Sequence, residues 1–355
     1  MKPKRRALVV GATGLSGSHA AEALNANGWH VTGMSRSAKA AANIDRPFAL
    51  DLLDKEAVRA SQKDLADIEE VFICTWSMQS TEAENVKVNK AMLEGLFEAL
   101  KDARLRHVAL VTGLKHYLGP FESYGDGKPY SPFLESQPRL PGLNFYYDQE
   151  DVVFAAAEAR GFTWSVHRPH SMIGYVLGNA MNMAVTLAAY ATICKETGRP
   201  FVFPGSEAQY KAVADVTDAR ILAKQLIWAV NTPEAANQPF NIANGDVFRW
   251  YWLWTRIAEY FDLEPAEYPG HPTPLVEQME GADAIWQEIV ARHDLAPNSL
   301  DRLASFWHSD ADLGRELECI TDMRNSRVLG FTAYQETTNS FTDVFDRLRS
   351  DRIIP

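Results

Sequence analysis

Val9-Val10-Gly11-Ala12-Thr13-Gly14-Leu15-Ser16-Gly17 decides the fold of this chain. A short apolar run at 6–10 enters it, and an apolar-periodic stretch at 16–27, closed by Gly28, leaves it. Strand, glycine triplet and helix in that order are the context that a dinucleotide-binding fingerprint requires. Gly11 permits the tight turn and Gly14 lets the backbone approach a pyrophosphate. Gly17 lets the helix pack close to the sheet, with its N-terminus facing the anion. Thr13 and Leu15 stand in the same turn and belong to the same expected site.

Outward from this turn, β-rich runs at 30–34, 70–74, 107–112 and 163–168, with a segment at 48–52, alternate with helical patterns at 55–61, 85–103 and 147–160. Strands separated by helices imply right-handed crossovers and a parallel sheet covered on both faces. The expected class is α/β, a Rossmann-type doubly wound parallel sheet over residues 1–175. A smaller, mostly helical substrate subdomain should occupy 176–355, with helices at 182–197, 251–261 and 282–293. A strand and helix at 212–230, and the segments up to about 245, are expected to return to the main sheet. The stretch 119–142 is rich in Gly, Pro and aromatic residues and too long for a plain connection, which marks it as a candidate active-site loop.

Composition narrows the partners. The 355 residues are 46% hydrophobic and 23% charged, an ordinary globular mixture. With 35 basic against 46 acidic residues the net charge is −11, which repels phosphate backbones and anionic lipid. Nucleic acid and membrane are therefore not expected as partners. Cys74, Cys194 and Cys319 are odd in number and far apart, against a disulfide framework and for a reducing, cytoplasmic setting. The basic start runs too quickly into glycines for a signal peptide, and no apolar stretch reaches membrane-spanning length. No metal is expected: His-Glu-x-x-His and Cys-x-x-Cys are absent, and His167 and His170 share no helical face. Nor is there a Gly-x-Ser-x-Gly elbow for a hydrolase.

The end of the second strand selects the nucleotide. An NAD site usually places an acid there for the ribose hydroxyls. Here the chain reads Ser35-Arg36-Ser37, a guanidinium flanked by two hydroxyls, which suits a 2′-phosphate. NADP(H) is the expected cofactor, with Asp51-Leu52 beside its adenine.

The usual Tyr-x-x-x-Lys pair of short-chain dehydrogenases is missing. Glu150 follows Tyr146 by four residues and Asp151 follows Tyr147. An acid there would raise a phenol's pKa where a lysine would lower it. Lys115, just past the strand at 107–112, is a replacement cation, and spacing alone leaves Tyr146 and Tyr147 as alternatives.

The segments Thr-Gly-Leu-Lys-His-Tyr-Leu-Gly-Pro-Phe at 112–121, Asn-Phe-Tyr-Tyr at 144–147 and Ser-Val-His-Arg-Pro at 165–169 resemble the progesterone 5β-reductase/iridoid synthase family. So do Thr75-Trp76 and Thr81-Glu82-Ala83-Glu84-Asn85, and the resemblance runs from Gly11 to Pro355. These are atypical extended short-chain dehydrogenases that reduce enones with NADPH. The resemblance implies that Tyr146 is the catalytic phenol and Lys115 its partner. It further implies Thr75, Trp76, Thr112, Pro169, Ser171, Met172 and Ile173 along the cofactor. Leu118, Phe121, Tyr124 and Asn182 resemble the family's substrate wall. His308 stands where the family carries an aromatic before Ser-Asp, a departure that bears on substrate preference.

The expected activity is NADPH-dependent 1,4-reduction of a compact, apolar α,β-unsaturated carbonyl compound. A sugar-nucleotide epimerase or dehydratase on the same scaffold is one alternative, but it would need the absent Tyr-x-x-x-Lys. A non-enzymatic NADP-binding sensor is another, and it would predict no phenol–cation pair. The helix at 85–103 can pack on its own sheet or on a second copy, so a homodimer is one expectation for assembly.

Overall fold

The computed structural model describes residues 4–37, 43–124, 129–179 and 181–355. Along the chain, β1 (Arg6–Val10) leads through the glycine turn to α1 (Leu15–Ala26), followed by β2 (His30–Ser35), β3 (Arg46–Ala49) and β4 (Glu70–Ile73). Then come α2 (Glu82–Ala99), β5 (His107–Val111), α3 (Phe145–Arg160) and β6 (Thr163–Pro169). The later part adds α4 (Met183–Thr197), α5 (Ala219–Asn231), β7 (Gln238–Ile242) and α6 (Phe306–Leu313).

The seven strands form one parallel sheet in the order β7-β6-β5-β4-β1-β2-β3. The order reverses between β1 and β4, and the glycine turn lies at that switch point, where open α/β sheets bind ligands. Alternate residues of β1 enter opposite cores, as the pleat requires. Leu8 and Val10 join Val71, Leu93, Leu96 and Val153 beneath α2 and α3. Ala7 and Val9 join Phe72, Ile221 and Leu222 beneath α1 and α5.

Two helices begin earlier than their apolar periodicity suggests, because side chains cap them. Thr81 Oγ1 accepts from Glu84 N at 3.3 Å, so α2 begins at Glu82 and ends at Ala99 rather than running over 85–103. Asn144 Oδ1 accepts from Tyr146 N at 3.1 Å, which starts α3 at Phe145 rather than at residue 147.

Of the segments expected at 212–245 to return to the main sheet, 238–242 does so and the strand expected near 212 does not. Val213–Ala214 and Thr217–Asp218 pair in two small separate sheets, and β7 supplies the seventh main strand. The rest of the C-terminal half packs around α4, whose residues from Met183 to Cys194 are all buried. Trp254, Trp286, Phe341 and Phe345 close around them. A helix apolar on all sides belongs inside a core. No described helix is long and apolar enough to cross a membrane. All three thiols are free, with Cys194 and Cys319 buried.

Candidate active site

At the glycine turn, backbone packs on backbone. A Cβ on Gly17 would lie 2.1 Å from the Gly11 carbonyl oxygen, and one on Gly11 (φ +83°) would lie 2.7 Å from the Cys74 oxygen. At Gly14 the nearest such atom is Gly11 O at 3.4 Å, so the space before it is open. No side chain caps α1 at Gly14, and Thr13 is exposed on the turn. Open space, uncapped N–H groups and a helix N-terminus fit a dinucleotide's pyrophosphate. Leu15 and Ser16 carry this surface into the neighbouring cleft.

Arg36 stands exposed just past β2 and forms no ion pair with a described residue. Beside it, Ser35 Oγ donates to the Ser37 carbonyl at 2.5 Å. Asp51 is exposed and accepts from Leu53 N at 3.0 Å. Leu52 is buried, its carbonyl against Gly95 of α2.

A cleft of about 950 Å³, counted to its open mouth, lies beyond the C-terminal ends of β4, β5 and β6. Thr75, Trp76, Thr112, Lys115, Phe121, Tyr124, Tyr146, Pro169, Ser171, Met172 and His308 line it. Of the loop at 119–142, residues 125–128 lie outside the described residues. Thr112 is tied down by its backbone N–H, which donates to the His167 carbonyl at 2.8 Å. Trp76 stacks on Phe145 with ring centroids 5.1 Å apart.

Lys115 is buried, with Nζ 2.8 Å from Glu82 Oε2 and over the rings of Phe145 at 4.5 Å and Phe121 at 4.8 Å. Burial lowers the ammonium's pKa, and the Glu82 contact opposes that. Glu82 also accepts from Phe145 N at 2.9 Å and from Asn85 Nδ2 at 3.1 Å. One buried carboxylate thus fixes both the cation and the start of the helix that carries the phenol. Glu82 lies in the 81–85 segment that carries the resemblance, but nothing in its spacing marks this role.

The two tyrosines separate cleanly. Tyr147 is committed to structure: its hydroxyl donates to the His116 carbonyl at 2.8 Å and accepts from Leu140 N at 2.9 Å. Tyr146 faces the cleft, and its hydroxyl bonds to no described residue. Burial, then the Glu82 carboxylate, pushes the Tyr146 phenol well above its usual pKa. It is therefore a neutral hydrogen-bond donor at neutral pH. Glu150, the acid expected to act on it, instead faces Arg139 at 2.8 Å and Arg168 at 3.6 Å, away from the cleft.

Of the positions expected along the nicotinamide and the substrate, three do not reach the cleft. Leu118 is buried in a separate cluster with Leu114, Tyr117, Phe133 and Cys319, because its short helix turns it under the loop. Asn182 is not helix-interior but precedes α4, where its Nδ2 donates to the Gly174 carbonyl at 2.7 Å; Met181 and Asn179 line the cleft instead. Ile173 is fully buried in the C-terminal core.

Asp312 is a cleft residue that sequence reading missed. Its Oδ2 accepts from Ser171 Oγ at 2.6 Å. Burial raises its pKa, but the Arg315 guanidinium, 3.9 Å away, outweighs that together with His308 and Ser171 and holds the carboxyl low. His170 also lines the cleft, with Nδ1 2.5 Å from Asp215. Among the described residues no cluster of His, Cys, Asp or Glu could hold a metal ion.

A doubly wound parallel sheet with a glycine turn at its switch point, and a phenol and an ammonium at the adjoining strand ends, defines the short-chain dehydrogenase class. Residues 49–355 match the PRISE-like Rossmann-fold domain. An (S)-8-oxocitronellyl enol synthase of Camptotheca acuminata is 38% identical, covering 98% of this chain and 93% of its own. A 3-oxo-Δ4,5-steroid 5β-reductase of Arabidopsis thaliana is 37% identical with the same coverage of each chain. The chain belongs to the PRISE family. Among solved structures it is similar to the UDP-N-acetylglucosamine 4-epimerase of Bacillus cereus, with a TM-score of 0.64, 14% identity, and 98% and 97% of the two chains covered. The Bordetella bronchiseptica enzyme WbmG in complex with NAD gives 0.66 at 12% identity, covering 99% and 96%. At such identities the likeness is one of fold alone.

Proposed function

We propose that this chain reduces the C=C bond of α,β-unsaturated carbonyl compounds with NADPH. The observation that carries this reading is the unbonded Tyr146 hydroxyl facing a cleft that Lys115 also lines, with no lysine four residues after either tyrosine. Its relatives named as a steroid 5β-reductase and as oxocitronellyl enol synthases support the reaction class. Arg36, exposed and unpaired among the described residues, supports NADPH over NADH.

Bound NADPH supplies the hydride that adds to the β-carbon. The C=C electron pair moves toward the carbonyl, leaving an enolate oxygen. Tyr146, protonated because it is buried beside Glu82, donates its hydrogen bond to that oxygen. Lys115, held on Glu82, offsets that carboxylate's charge on the same cleft wall, and the α-carbon then takes a proton from water. Trp76, Phe121 and Phe145 give the reacting end an apolar enclosure, which strengthens these electrostatic contacts. The three free thiols fit a cytoplasmic enzyme.

The test is NADPH consumption, followed by nicotinamide absorbance, with a panel of small enones and with NADH as control. Turnover yielding the saturated ketone is expected. An enzyme that binds NADPH but consumes no enone would sink the reading.

A further inference from the structure

We propose that the substrate of this chain carries a hydroxyl group close to its reacting enone, and that His308 and Asp312 recognise it. The inference rests on the enone-reductase reading and deepens it. The reacting end of the cleft, around Tyr146, is apolar and aromatic. The wall formed by α6 is not. His308 and Asp312 stand four residues apart on that helix, one turn, and both line the cleft.

Each presents one polar atom that no described residue occupies. Asp312 Oδ2 is taken by Ser171 at 2.6 Å, whereas Oδ1 meets only the Arg315 guanidinium at 3.9 Å, too far for a hydrogen bond. His308 packs edge-on against Phe121, ring centroids 6.5 Å apart, with Nδ1 buried and unpartnered. Its Nε2 bonds to no described residue, and the ring lines the cleft. An acceptor on Asp312 and a donor on His308 Nε2 thus await a ligand on the same wall. A purely apolar enone would bury both unsatisfied, a desolvation penalty that a hydroxyl-bearing enone avoids.

Charge selects the class of group. The carboxylate repels an anion. Arg315 already offsets the carboxylate's charge, so a cation gains little there. A hydroxyl donates to Asp312 and accepts from His308 at once, satisfying both.

The experiment compares cyclohexenone with its γ-hydroxy derivative, measuring kcat/KM with saturating NADPH for the wild type, His308→Phe and Asp312→Asn. The wild type should prefer the hydroxylated enone at least tenfold, and each variant should bring that ratio toward one. Equal wild-type turnover of both enones overturns this inference and leaves the reduction standing. No turnover of either enone overturns the reduction, and this inference with it. A preference that persists unchanged in both variants overturns the assignment to these two residues.

Discussion

Tyr146 concentrates the chemistry of the site in one hydroxyl. Donors aimed at a developing oxyanion are worth about 10²–10³ in kcat. Tyr146→Phe should therefore lower kcat at least about a hundredfold while the Kd for NADPH stays within about twofold, measured by enone turnover and by fluorescence titration of the cofactor. A fully active phenylalanine variant would assign the enolate to another group. Arg36 carries a separate test. A charge-assisted contact contributes about 1.5–3 kcal/mol, so Arg36→Asp should shift the NADPH/NADH ratio of kcat/KM by roughly tenfold to a hundredfold toward NADH. An unchanged ratio would remove Arg36 from phosphate recognition. Arg36 was visible in the sequence because it sits one step beyond the second strand, whereas spacing offered both Tyr146 and Tyr147 and only the family resemblance pointed to the first. The supports of the site were not visible. Glu82 lies 33 residues before Lys115 and Ser171 lies 141 before Asp312, separations that only the folded sheet closes. Tyr147 differs from Tyr146 in what covers it, and no spacing encodes that.

The glycine turn makes a sharper claim as an element than as a motif, because its glycines fail in different ways. A Cβ at Gly17 would sit 2.1 Å from backbone that cannot swing aside. Gly17→Ala should destabilise the protein itself, by at least the ~1–3 kcal/mol typical of overpacking, seen as a lower melting temperature without cofactor. Gly14 has φ −85° and open space before it, so Gly14→Ala should melt normally without cofactor yet bind NADPH more weakly. Similar behaviour of the two variants would mean that the space at Gly14 is not where the pyrophosphate lies. Element by element, the central strands were legible because they are short, apolar and buried on both faces. The edges were not. β7 reads Gln-Pro-Phe-Asn-Ile, polar and proline-bearing, a composition that only an edge strand tolerates. β3 at the opposite edge carries Pro47 and starts two residues before its expected segment. The apolar run near Val213 was expected in the main sheet and pairs elsewhere, since pairing partners are set by tertiary packing.

At the scale of the whole molecule, the sheet buries imidazole as though it were hydrocarbon, and that sets how the fold responds to acid. His107 and His167 lie in a hydrogen-bonded row with Ser165 between them: His107 Nε2 meets Ser165 Oγ at 2.9 Å, and Ser165 Oγ meets His167 Nε2 at 2.9 Å. His167 Nδ1 continues the row to Gln225 at 2.8 Å. His116 is packed between Tyr117 and Tyr147. Burial pulls His107 and His116 from their usual 6.5 down to about 3, and His167 down to about 4. Below pH 6.5 the unfolded chain therefore binds three protons that the fold refuses, and stability falls as pH falls. Glu135 acts in the opposite sense. Burial raises it to about 7, so from its usual 4.5 upward the fold keeps one proton that the unfolded chain gives up. Burial lowers His19 in the same sense as the three imidazoles, and raises Glu70, Asp148 and Asp310 in the sense of Glu135, so the three strongly lowered imidazoles set the direction and stability falls on acidification below pH 6.5. Urea midpoints measured from pH 7 down to pH 5 should fall accordingly. In His107→Gln the slope should shrink by one proton, about 1.4 kcal/mol per pH unit. Midpoints that hold steady or rise on acidification would show that the fold accommodates these imidazoles charged. The buried row would then be a proton store at the heart of the sheet rather than a neutral part of its core.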